Sequence, residues 1–207
     1  MNITRKQMIT GGLAALASIG VADMGIVKAN IGGRQINLTG QGDDDEMYHE
    51  LLVQILSNTL PPDTTVELAL PDIRKYAFAN LANLKTLIIH GPTSLTSKCE
   101  YFIQGSACET IYLPDVTSCN HFVFWSTPTL KVIHVPRLKD NMSRLCYIGN
   151  SSLTDVYIDE STCAEILAIR GFPGMSGTGE NSNYANIVFH GSDGNVVYDG
   201  SQWVIET

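Results

Sequence analysis

At 207 residues the chain is long enough for one domain of ordinary size with an appended segment, and a 44% apolar content can build a core. Charged residues make up 16%, against about 25% in an average soluble protein; small polar residues and 18 glycines fill the gap. Thirteen Lys and Arg stand against 21 Asp and Glu, a net charge of −8 with no basic cluster, which excludes the electrostatic footprint of a nucleic-acid binder and disfavours an anionic membrane surface.

Residues 1–30 admit two readings. Arg5 and Lys6 precede a mild apolar run over 8–22, and Val27 and Ala29 stand at the −3 and −1 positions of a cleavage site, as in a secretory signal peptide. The same stretch reads as a docking helix, with a Thr4-x-x-Gln7 capping box. The run would be about 22 Å long as a helix, short of a hydrocarbon core of about 30 Å, so no membrane span is expected. Residues 31–60 read as an N-terminal helical cap. Within it 43–58 carry Asp43 to Glu46 at a helix start and Met47, Leu51, Leu52 and Ile55 on one face. The acidic run lacks the D-x-D-x-D-G pattern of a calcium loop.

Over 61–165 the chain repeats. Leu84-x-x-Leu87-x-Ile89, Cys108-x-x-Ile111-x-Leu113, Leu130-x-x-Ile133-x-Val135 and Leu153-x-x-Val156-x-Ile158 begin 24, 22 and 23 residues apart. An aromatic stands six residues before each: Phe78, Phe102, Phe124 and Tyr147. A unit of about 23 residues cannot bury its own apolar side, but stacked units can. The last two apolar residues of each segment are i and i+2 of a short strand and point into the core. Val66-Glu-Leu68-Ala-Leu70 reads as an incomplete strand upstream. The spacing therefore predicts a repeat solenoid with parallel strands on one face.

Residues between the buried ones must point outward. Ile88, Tyr112, His134 and Tyr157 are expected in one column, Thr86, Thr110, Val132 and Asp155 in a second, and His90, Pro114, Pro136 and Asp159 in a third. Aromatic and amphipathic side chains on a rigid sheet suit recognition of a protein or a glycan. Strand propensity alone also enriches such residues there.

The first unit, Ile73-Arg-Lys-Tyr76-Ala-Phe78-Ala-Asn-Leu81-Ala-Asn-Leu84-Lys-Thr-Leu87-Ile-Ile89, resembles the BspA-type leucine-rich repeat of bacterial surface proteins and phage structural proteins. The later units replace the Ala before the aromatic by Tyr101, Val123 and Cys146. The resemblance covers 61–160. It implies a short leucine-rich-repeat β-solenoid with an adhesion or recognition role, and it supplies no catalytic residue.

Residues 166–207 read as a loop and a closing cap. Ser161–Arg170 suggest a further helix, and 171–183 are Gly-rich. Strand-like runs over Asn186–His190, Asn195–Tyr198 and Gln202–Ile205, separated by Asp193-Gly194 and Asp199-Gly200, predict an antiparallel β cap with Trp203 in its core.

Nothing in the sequence carries an enzyme motif, a zinc pattern or a cofactor loop, so no catalysis, metal or cofactor is expected. The five cysteines, Cys99, Cys108, Cys119, Cys146 and Cys163, are odd in number, lack CxxC spacing and read as buried thiols. The expected role is a non-enzymatic recognition or adhesion module, displayed in many copies outside the cell, with the face of Ile88, His90, Tyr112, His134, Asp155, Tyr157 and Asp159 as its binding site. The alternative is a phage virion protein, of a tail, fibre or capsid decoration, whose partners are neighbouring virion proteins or further copies in a homo-oligomer.

Overall fold

Short strands form wherever an aliphatic residue recurs at i and i+2 and the intervening side chain can face water. The computed structural model describes residues 27–31, 34–38, 63–69, 73, 75–96, 99–119, 124, 126–142, 152–170, 172 and 186–206. These contain strands β1 (Val27–Ile31), β2 (Arg34–Leu38), β3 (Thr64–Ala69), β4 (Leu84–His90), β5 (Ser94–Leu95), β6 (Thr110–Tyr112), β7 (Ser118–Cys119), β8 (Val132–His134) and β9 (Asp155–Tyr157). Helix α1 (Cys163–Ala168) and strands β10 (Val188–Gly191), β11 (Gly194–Tyr198) and β12 (Trp203–Glu206) complete them. No helix among the described residues is long and apolar enough to cross a membrane.

The chain winds as a parallel β-solenoid. One sheet runs β12-β11-β10-β9-β8-β6-β4-β3-β1-β2. Its strands from β3 through β10 are parallel, and its two ends are antiparallel. The register stacks Leu87 on Ile111, Ile133, Val156 and Phe189, all fully buried. The first and last apolar positions of each unit, from Leu84 and Ile89 to Leu153 and Ile158, are buried too. A second limb pairs β5 with β7, and the bridge from Ser118 to Asp140 continues it. On a third limb the Phe78 N–H donates to the Phe102 carbonyl at 2.6 Å, Asn80 to Gln104 at 2.8 Å, and Gly105 to Ser126 at 3.2 Å. Every limb thus satisfies its backbone groups from the next unit.

The aromatic ladder fills the width between limbs. Phe78 meets Phe102 edge-on at 6.4 Å, Phe102 meets Phe124 at 5.6 Å, and all three are buried. Tyr147, the fourth expected rung, lies outside the described residues. The third limb turns at a left-handed residue once per unit, at Tyr76 (φ 60°), Tyr101 (φ 58°) and Ser126 (φ 57°). Asn80 (φ 60°) and Gly105 (φ 66°) form a second such pair. Glycine suits 105, where φ is left-handed and a Cβ would stand 2.6 Å from Asn80 Oδ1 and push that side chain aside.

The N-terminal end differs from expectation. Residues 31–60 do not show a helical cap among their described members. Val27–Ile31 and Arg34–Leu38 form an antiparallel hairpin that adds to β3 through Asn30↔Glu67 and Ile31↔Val66. An open β3 edge would leave backbone groups without partners, and a hairpin satisfies them directly. Val27–Ile31 and Gln35–Leu38 alternate apolar with polar residues on either side of Gly32-Gly33, a hairpin signature. The helix expected over 43–58, and residues 1–26, lie outside the described residues.

At the other end the expected antiparallel meander forms over β10, β11 and β12, and its first strand, β10, also pairs parallel to β9 as a further rung of the solenoid. Helix α1 precedes it, opened by a capping box: Glu165 N–H donates to Thr162 Oγ1, and Glu165 Oε2 accepts from the Thr162 N–H. Asp193 adds a third tie, accepting from the Cys163 N–H at 2.7 Å. Trp203 is partly buried, within 5.4 Å of the Phe172 and Phe189 ring centroids. Cys99, Cys108, Cys119 and Cys163 are buried thiols. Burial pushes the Cys108 thiol up to about 12, and burial together with Asp193 pushes Cys163 to about 11. Cys146 lies outside the described residues.

Candidate functional site

Parallel register places the outward residues of successive units beside each other. Ile88, Tyr112, His134 and Tyr157 are direct partners on neighbouring strands, as the spacing predicts. The column extends further than the sequence indicated. Glu67 precedes Ile88, and His190 follows Tyr157. All six are partly exposed.

The rings form a continuous stack. Tyr157 lies against His190 at 4.1 Å and 12°, and against His134 at 4.3 Å and 7°. These three rings cover one another's faces and show their edges to solvent. Tyr112 differs, meeting His134 at 5.5 Å and 83°. His134 presents its face along the column, as its parallel packing on Tyr157 requires. Tyr112 therefore meets it edge-on and turns its own π faces away from the column.

Asp155 stands in the second column, in register with Thr110, Val132 and Val188. It accepts from Thr154 Oγ1 at 2.6 Å and bonds His190 Nε2 at 2.8 Å, while His190 Nδ1 faces Asn195 Oδ1 at 2.8 Å. Partial burial raises the Asp155 carboxyl, but these hydrogen bonds and the nearby imidazoles outweigh it and hold the group below the ordinary carboxylate value. Burial lowers the His134 imidazole, with Asp159 and Asp155 pulling the other way and His190 adding to the fall.

The third expected column is broken. Pro136 is buried, Pro114 is half-buried, and Asp159 is exposed beyond the end of β9. His90 stands away from the ring stack, two strands from His134, and pairs with Glu67 at 2.9 Å. The structure thus aligns Ile88, Tyr112, His134 and Tyr157, sets Asp155 and Asp159 beside Tyr157, and keeps His90 two residues beyond Ile88 on β4, paired with Glu67. His190 was missed because its rung follows after 33 residues rather than about 23. Its signal was Val188-Phe189-His190, which repeats the out-in-out pattern of Asp155-Val156-Tyr157.

Two lysines sit at the start of the same face, and both are in ion pairs with the neighbouring unit: Lys85 with Asp63 at 3.3 Å, and Lys131 with Glu109 at 3.0 Å. Among the described residues no group of three or more His, Cys, Asp or Glu is arranged to hold a metal ion. On the third limb a smaller exposed group joins Tyr76 and Tyr101, stacked at 5.5 Å, with Lys75 Nζ 5.6 and 5.0 Å from their centroids. Comparison with protein-family models, curated proteins and solved structures finds no match to the chain.

Proposed function

We propose that the chain is a non-enzymatic recognition module of the BspA leucine-rich-repeat kind, binding a protein or glycan through the outward face of its parallel sheet. The carrying observation is the unbroken column from Ile88 through Tyr112, His134 and Tyr157 to His190. Rings with polar edges, held rigidly on backbone hydrogen bonds, bind at small entropic cost. The family kinship rests on the first unit's sequence and on the parallel winding that accompanies it. Six parallel strands spaced about 4.8 Å apart span about 24 Å. A face of that width offers less than the roughly 800 Å² per partner of a standard interface. One copy binds weakly, so the module works in many copies outside the cell, on a bacterial surface or a virion.

The test is a streptavidin-tethered tetramer of the full chain, probed on peptide and glycan arrays beside a Tyr112→Ala/Tyr157→Ala tetramer. The wild type is expected to retain ligands that the variant loses, with far-UV spectra unchanged between the two. An identical set of ligands on both would place the binding surface elsewhere. An array that retains neither would remove the recognition reading.

A further inference from the structure

We infer that the occupant of this face is a basic, arginine-bearing segment of a partner protein. The inference rests on the recognition reading above and names its ligand class. Two independent observations carry it.

The first is the ring geometry. A sugar ring binds an aromatic by lying on its face. Here the faces between His134, Tyr157 and His190 are already taken by one another, at 4.3 and 4.1 Å. The ring that turns its faces away from the stack is Tyr112, at 83° to His134. A planar guanidinium is suited to such a face and, unlike an ammonium, also matches a carboxylate bidentately.

The second is charge. Glu67, Asp155, Asp159 and Glu206 lie along the outward face, through the register that links Glu67 to Ile88 and Glu206 to Asn195, the partner of His190. Among the described side chains, Glu67 pairs with the His90 imidazole, and Asp155 with the His190 imidazole and the Thr154 hydroxyl. Among the described side chains, the lysines of this face, Lys85 and Lys131, are already paired to Asp63 and Glu109. The described side chains of the face therefore present net negative charge. Spacing completes the match. Tyr112 on β6 and the end of β9 are two strands apart, about 9.6 Å at the usual strand separation. Asp159 stands two residues further along than Tyr157, the register partner of that column, which makes its separation from Tyr112 about 12 Å. Residues i and i+4 of an extended chain point to the same side and are about 13 Å apart. A segment crossing the rungs sets one arginine on Tyr112 and a second, four residues on, against Asp159.

The experiment titrates the full chain with a fluorescent hexa-arginine peptide, a hexa-lysine peptide and a neutral chitohexaose. Anisotropy gives affinity, and the ring proton resonances of His134 and His190 give location. Hexa-arginine is expected to bind about threefold more tightly than hexa-lysine and to move both imidazole signals. Asp159→Asn is expected to weaken hexa-arginine about fivefold. Tyr112→Ala should abolish the preference for arginine. Asp140→Asn, an equal charge change on the second limb, should leave affinity unchanged. If Asp140→Asn weakens binding as much as Asp159→Asn, attraction is to net charge alone and the proposal fails. Imidazole signals that move with chitohexaose but not hexa-arginine would make the ligand a glycan, leaving the recognition reading intact. Movement with neither probe, together with empty arrays, would overturn both.

Discussion

His134 packs its ring between Tyr112 and Tyr157 and is partly buried. Asp155, Asp159 and His190 are the titrating groups that act on it, and burial still dominates, lowering its pKa from 6.5. The sign of the consequence is fixed. As pH falls through 6.5 the unfolded chain gains a proton that folded His134 resists, so stability present above that pH is lost below it. Asp155 acts in the same direction lower down. Its folded value is held below 3.8, so its contribution is full above that pH and disappears as pH falls beneath it. We expect the midpoint of urea unfolding to decline between pH 7.5 and 5.5, and His134→Gln to flatten that decline. Equal slopes in wild type and variant would mean that the ring pays no burial penalty. The outward positions were readable because a parallel register repeats one residue per unit. Their energetics were not, because the spacing gives no ring angle and does not place Asp155 within 2.8 Å of His190.

Element by element, strand β10 shows where periodicity stops being legible. Successive buried partners Leu87, Ile111, Ile133 and Val156 follow at the repeat spacing, but Phe189 comes 33 residues after Val156, with α1 in between. The rung also lacks the second aliphatic residue. Gly191 stands where Leu113, Val135 and Ile158 stand in earlier units. A Cβ there would lie 3.0 Å from the Ser161 carbonyl oxygen and 3.1 Å from both the Cys163 nitrogen and sulfur. The α1 entry has taken the space of a side chain, so the apolar signature vanished from the sequence while the strand remained. Gly191→Ala is expected to cost about 1–3 kcal/mol, because two of its neighbours are backbone atoms that cannot turn aside. Chemical denaturation measures it, and a loss under a few tenths would show that α1 yields. The N-terminal hairpin was hidden for a different reason. Alternation in Arg34-Gln-Ile-Asn-Leu38 was present, but a short apolar alternation is ambiguous until a partner edge, here β3, is known.

Across the whole molecule each unit touches mainly its neighbours, so stability passes along the solenoid as a chain of local couplings. The surface ion pairs follow that rule. Lys85–Asp63, Lys131–Glu109 and Arg137–Asp115 each join one unit to the preceding one, and Arg137 also reaches Glu160 in the next. Being exposed, each contributes at most about 1 kcal/mol. The stronger couplings are aromatic. Phe102 sits between Phe78 and Phe124 in the middle of the array, whereas Trp203 closes one end over Phe172 and Phe189. Position in the chain of couplings therefore decides what a truncation does. Phe102→Ala, costing about 3–5 kcal/mol, should uncouple the two halves and lower amide-exchange protection on both sides of β6. Trp203→Ala should fray only β10, β11 and β12, with protection in β4 and β6 retained. Hydrogen exchange read strand by strand separates these outcomes. Uniform loss of protection in Trp203→Ala would mean that the solenoid unfolds as one unit. The recognition face would then lose its order from either end, rather than keeping its central rungs when the C-terminal cap opens.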